Sequence, residues 1–219
     1  MEHQHSEEEL KSIAKQLSCP EGEHGIKTGE MMHASNLGMT SSAIDALNLQ
    51  NNNTILEIGH GNGGHITQLL SKAENLKYYG ADISETIIAE AKKNTAEFIN
   101  QVSFQLINGT DLSFSDKQFD KIFTVNTIYF WNNPLEYLKE VKRILVDEGQ
   151  LLLCFADKTY LQKRPYIKYG FKLYDDYEAT ELLRKAGFKN IKTIKKTEQI
   201  NNTSGFMVDR DYYIISAIA

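Results

Sequence analysis

The stretch Ile55-Leu56-Glu57-Ile58-Gly59-His60-Gly61-Asn62-Gly63-Gly64 runs from apolar residues through one carboxylate into four glycines within six positions. The apolar half reads as a strand buried on both faces, and the glycine half as the turn from that strand into a helix. Glycines there allow positive φ and let a ligand approach the peptide groups, while the helix start offers unpaired N–H groups. One glycine suffices for an ordinary tight turn, so the cluster marks a turn built to touch a ligand.

Outward from this turn the chain alternates. Strands are predicted over residues 54–58, 76–81, 102–107, 119–125, 150–155, 191–196 and 212–217, with helices over 64–72, 84–99, 135–145 and 177–186. Strands separated by helices imply βαβ units and a parallel sheet. The last two strands are joined only by a loop over 198–210 and read as an antiparallel hairpin at the sheet edge. The expected fold is therefore α/β, a Rossmann-like, doubly wound sheet of seven mostly parallel strands with an antiparallel C-terminal hairpin. Before it, Leu10, Ile13, Ala14 and Leu17 recur at helical spacing behind a Ser6 to Glu9 capping-box pattern. Pro20, Gly22, Gly25 and Gly29 then read as breakers, followed by a helix over 40–49. Two parts follow: an N-terminal helical lid segment over 1–42 and one domain over 43–219.

Composition bounds the function. The 219 residues, 41% hydrophobic and 24% charged, suffice for one full-sized core. A net charge of −5 does not favour nucleic acid as a partner. No run approaches the ~18 apolar residues of a membrane span, and the polar start Met1-Glu2-His3-Gln4-His5 lacks the core of a signal peptide, so a cytoplasmic protein is expected. Cys19 and Cys154 are far apart, and Cys154 lies inside an apolar strand as a small hydrophobe. His60 and His65 have no clustered Cys or acidic partner, so no metal site is expected. The sequence does not reveal the oligomeric state.

The ligand of the glycine turn is decided by Glu57. Gly59-x-Gly61-x-x-Gly64 matches the dinucleotide fingerprint, with Asp82 where a ribose-binding acid belongs, which keeps a nicotinamide-dependent oxidoreductase as an alternative. A carboxylate two positions before the first glycine, however, suits a cationic ligand better than a pyrophosphate.

Residues 56–63, Leu-Glu-Ile-Gly-His-Gly-Asn-Gly, resemble the Glu-x-Gly-x-Gly-x-Gly motif of class I S-adenosylmethionine-dependent methyltransferases. Residues 79–84, 108–120, 138–145 and 149–153 resemble further motifs of that family, in the family's order. The likeness is to the small-molecule branch related to quinone-biosynthesis enzymes. It implies S-adenosylmethionine as cofactor and S-adenosylhomocysteine as product. It implies that Glu57 balances the cationic methionine end, that Gly59, His60, Gly61, Asn62 and Gly63 pack against the cofactor, and that Asp82 accepts both ribose hydroxyls. Ile83 would cover the adenine, with Asn108, Gly109, Thr110 and Asp111 forming the adenine segment. Asn126 would lie near the methionine ammonium. Where that family segment usually opens with Asp, this chain has Asn108. A cofactor-binding protein without catalysis stays a second alternative.

On the acceptor side, Asn126-Thr127-Ile128-Tyr129-Phe130-Trp131 offers aromatic faces, of which Tyr129 and Trp131 are candidate substrate contacts and Tyr129 a candidate catalytic group. Tyr160, Tyr166 and Tyr169, interleaved with basic residues, read as a second substrate wall. His33, in the irregular stretch over 25–39, is a candidate general base. The expected substrate is a small molecule.

Overall fold

The computed structural model describes residues 5–201 and 206–219. The start of the chain at Met1 to Gln4, and the tip of the loop expected between the last two strands, lie outside the described residues.

Seven strands form one sheet: β1 (Thr54–Ile58), β2 (Lys77–Asp82), β3 (Val102–Leu106), β4 (Phe119–Val125), β5 (Leu145–Ala156), β6 (Lys189–Asn201) and β7 (Met207–Ile218). Their order is β3-β2-β1-β4-β5-β7-β6, parallel except that β7 runs against both of its neighbours. The order turns back between β1 and β4, and in such sheets ligands bind outside the carboxyl ends of the strands at this switch point. The glycine turn follows β1 directly. Ile55, Leu56, Tyr78, Phe119, Phe123 and Phe155 are fully buried, and each such side chain stabilises the fold by about 1.5–3 kcal/mol. Cys154 is buried among them.

Five helices of ten residues or more flank the sheet among the described residues: α1 (Glu7–Ser18), α2 (Gly22–Ala46), α4 (Glu85–Asn94), α5 (Pro134–Ile144) and α7 (Asp176–Lys185), with short helices α3 (Ile66–Leu70) and α6 (Lys158–Leu161) between them. The capping box at Ser6 and Glu9 is formed, and Ser84 caps α4 by accepting from the Ile87 amide. None of these helices is long and apolar enough to cross a membrane.

Two expectations are corrected. The stretch over 25–39 is helical: α2 runs unbroken for 25 residues, from Gly22 to Ala46. Only Gly22, at φ +63°, acts as a start signal. Gly25 and Gly29 are spacers instead, because an added Cβ would lie 2.6 Å from the Pro20 carbonyl carbon and 2.7 Å from Ile87 Cδ1. They let α2 press against α4 and the preceding turn. The hairpin is also longer than expected: β6 and β7 pair from Lys189 with Ile218 to Asn201 with Met207. β6 is an edge strand exposed along most of its length, so its polar residues hid it from apolar periodicity.

Candidate active site

A cleft opens at the carboxyl ends of β1, β2 and β4. Ile58, Gly59, His60, Gly61, Asn62 and His65 form its floor, Ala81, Asp82, Ile83, Ile107 and Gly109 one side, and Val125, Asn126 and Thr127 the other. Leu17, Ser18 and Pro20 close one end, while Gly29, Met32, His33 and Asn36 come down from α2 as a roof. Those four α2 residues are spaced i, i+3, i+4, i+7, one face of a helix.

The floor is shaped by backbone conformation. Gly59, Gly61 and Gly63 have φ of +75°, +56° and +73°. A Cβ on Gly59 would lie 2.3 Å from Thr127 Cγ2, whereas one on Gly61 would meet no atom within 4 Å. Gly59 therefore lets β1 pass β4 closely, and Gly61 leaves open space where a ligand can lie against the peptide.

Asp82 ends β2 and is buried beside the cleft, accepting from the Ser84 amide at 2.9 Å. Burial raises its pKa, opposed by His60 and by the amides of Ser84 and Ile83. His60 is buried, packs on Phe104 at 4.7 Å and donates Nδ1–H to its neighbour's carbonyl at Gly61 at 2.7 Å, leaving Nε2 without a partner. Burial holds its pKa below the usual histidine range.

Glu57 sits behind the floor at 2% exposure. Its Oε2 accepts from Tyr78 at 2.5 Å and from His65 Nε2 at 2.7 Å. Burial pulls the His65 pKa down, but the charge and hydrogen bond of Glu57 outweigh it and set it above the ordinary value. Sequence reading missed this pair, because the contact crosses the turn between a strand and a helix. The only signal was a histidine placed at the helix start, just after the turn.

The adenine segment is brought in only in part. Ile107 and Gly109 line the cleft, but the side chains of Asn108, Thr110 and Asp111 are exposed and bond one another. Asn108 Oδ1 accepts from the amides of Thr110 and Asp111, both at 2.9 Å, which closes the turn. Ile83 lines the cleft and keeps 39% exposure.

Asn126 has φ +59°, a left-handed conformation that Asn tolerates better than most residues. Its side chain accepts from Ala156 N at 3.0 Å and donates to Asn36 Oδ1 at 3.1 Å. Tyr129 does not reach the cleft. It is buried, its hydroxyl 3.0 Å from Asn126 Oδ1 and 3.1 Å from the Ala156 carbonyl, and burial drives its pKa far up. Phe130 and Trp131 line the cleft instead, with Tyr137 4.9 Å from Trp131.

Tyr160, Tyr166 and Tyr169 also lie away from the cleft. Arg164 stacks on Tyr160, Tyr166 packs on Phe171, and Tyr169 carries Lys168 and Lys11 of α1 over its ring. Tyr169 meets α1 through Lys11. His33 is in the roof, its ring 6.3 Å from that of His65. Among the described residues no group of three or more His, Cys, Asp or Glu side chains is placed to hold a metal ion.

Comparison with known proteins gives this geometry its context. Residues 56–153 match the methyltransferase domain family. An uncharacterised protein of Methanocaldococcus jannaschii is 31% identical over 69% of this chain and 75% of its own length. The uncharacterised methyltransferase YdaC of Bacillus subtilis is 25% identical over 74% and 86%. Among solved structures, a methyltransferase crystallised with the Trm112 activator of Haloferax volcanii superposes with a TM-score of 0.75 at 15% identity, over 96% of this chain and 97% of its own, which speaks to the fold. The chain belongs to the class I S-adenosylmethionine-dependent methyltransferases, and S-adenosylmethionine is its cofactor. A nicotinamide-dependent activity is not favoured by these matches.

The residues present fit that cofactor. Gly61 leaves the open cradle, Asp82 is a buried acid at the cleft wall, and Ile83 and Gly109 line the cleft beside it.

Proposed function

We propose that the protein transfers the methyl group of S-adenosylmethionine to a small-molecule acceptor. The observation carrying this reading is the roof: α2 lays Gly29, Met32, His33 and Asn36 over the glycine turn, which favours a small acceptor over a polymer. In this reading residues 1–42 serve as the lid of a methyltransferase domain over 43–219.

The cofactor supplies an electrophilic methyl on a sulfonium, and the protein supplies alignment and exclusion of water. Asp82 accepts the ribose hydroxyls, as paired carboxylate oxygens do well. The amides from Gly59 to Gly63 pack along the cofactor, with Asn62 and His60 on the same turn. Ile83 and Gly109 flank the adenine, while Asn108, Thr110 and Asp111 hold the shape of that loop. Glu57 balances the ammonium of the methionine end, and Asn126 presents its backbone there. Phe130 and Trp131 offer ring faces to a sulfonium or a cationic amine. His33 stands in the roof over the same cleft, where burial and the neighbouring His65 hold its pKa below the usual histidine range. Both cysteines are free, which suits a cytoplasmic setting.

The test is transfer of label from S-adenosylmethionine across a panel of small acceptors. Amino alcohol phosphates come first, because a relative named phosphoethanolamine N-methyltransferase 3 from Arabidopsis thaliana is 26% identical over 81% of this chain, although only 36% of that protein is covered. Label entering a small acceptor supports the reading. Label entering only protein or nucleic acid contradicts it.

A further inference from the structure

Two imidazoles meet in the cleft, His65 from the floor and His33 from the roof. His65 lines it from the start of α3, while Glu57, its hydrogen-bond partner, lies behind. The acid at the end of β1 therefore meets the cavity partly through an imidazole ring. Over His65 stands His33 of α2, with ring centroids 6.3 Å apart and planes 25° from parallel. His33 rests on the bare backbone of Gly64, where a Cβ would come within 2.9 Å of its Cε1 and Nε2. The titratable groups around the pair are Glu57 on β1, Tyr78 on β2 behind it, and His60 in the turn.

Stacked imidazoles repel when both are charged and attract an anion that lies against them. The cofactor has one anionic group, the carboxylate of its amino-acid end. Asp82, His33 and His65 line the same cleft, so a ribose at Asp82 leaves the amino-acid end within reach of the histidines.

We propose that His33 and His65 clamp the carboxylate of the cofactor's amino-acid end, and that His33 takes up a proton from solvent as the cofactor binds. The proposal rests on the cofactor placement given above: Glu57 stays behind His65 and orients its ring, while the cofactor's carboxylate meets the two imidazoles. Burial, together with the neighbouring His65, keeps His33 below the usual histidine range. A carboxylate beside it reverses that preference, so binding strengthens as the pH falls from about 8 to about 6.

Calorimetric titration of the full chain with S-adenosylhomocysteine, in phosphate and in Tris, reads the protons taken up. The decarboxylated analogue of the same thioether is the second probe and needs no variant. The expected result is proton uptake with S-adenosylhomocysteine, none with the analogue, and binding of the analogue weaker by about tenfold or more. His33→Gln, checked by thermal melting, should remove the uptake and most of the difference between the two probes. Equal affinity of the wild type for both probes, or uptake that persists in His33→Gln, overturns the clamp. Failure of S-adenosylhomocysteine itself to bind would overturn the cofactor placement together with the clamp, whereas tight binding without discrimination overturns the clamp alone.

Discussion

Asn126 donates its Nδ2 to Asn36 Oδ1 at 3.1 Å, joining the end of β4 to the roof helix across the back of the cleft. The same Asn36 oxygen accepts from Arg210 Nη1 at 3.2 Å. Arg210 is buried on β7 and also bonds Glu198 Oε1 at 2.6 Å and the Ser35 carbonyl at 2.7 Å. The C-terminal hairpin thus holds the roof, and through Asn36 the roof holds Asn126 in its left-handed conformation.

Arg210→Met leaves the Glu198 carboxylate without its partner and releases three acceptors on α2, Ser35 Oγ, the Ser35 carbonyl and Asn36 Oδ1. Breaking a mostly buried pair in this way costs about 3–5 kcal/mol. Urea denaturation should show a loss of that size, and Arg210→Met combined with Glu198→Gln should lose less than the sum of the two single changes. Additive losses would mean that the pair does not act as a unit.

The glycine turn separates stability from binding. Gly59→Ala combines positive φ with a clash on Thr127, so it should lose about 2 kcal/mol or more in stability. Gly61→Ala meets no neighbouring atom and should cost only about 1–2 kcal/mol of backbone strain. Its methyl group would nevertheless occupy the cradle, so the affinity for S-adenosylhomocysteine should fall at least as far as in Gly59→Ala. Melting curves and calorimetry on both variants read the two effects.

His65 ties stability to pH. Glu57 raises its folded pKa, so the pair's stabilisation is fully present below the unfolded histidine value of about 6.5 and is lost as pH rises through the folded value above it. The stability difference between wild type and His65→Gln should be largest at pH 6 and shrink toward pH 9. A difference that grows with pH would reverse the assigned sign.

Much of this was legible in the sequence, for physical reasons. The alternation of strands and helices, the turn at Gly59 to Gly64, the acid at Asp82 and the cap at Ser6 are local features, fixed by period and by backbone preference. Gly25 and Gly29 misled because a glycine chosen for close packing looks the same in sequence as one chosen for flexibility. Tyr129, Phe130 and Trp131 could not be sorted, since a single turn of 3-10 helix decides which ring faces the cleft. The Glu57–His65 and Asn36–Arg210 contacts join residues that only the folded chain brings together.

The most direct test of the cofactor cleft is the affinity of the full chain for S-adenosylhomocysteine beside that of Asp82→Ala. On the proposed placement, loss of the carboxylate removes two hydrogen bonds to the ribose, so binding should weaken by about a hundredfold or more, with a melting curve confirming that the variant is folded although the Ser84 amide loses its acceptor. Unchanged affinity in a folded Asp82→Ala variant would contradict the placement of the cofactor in this cleft.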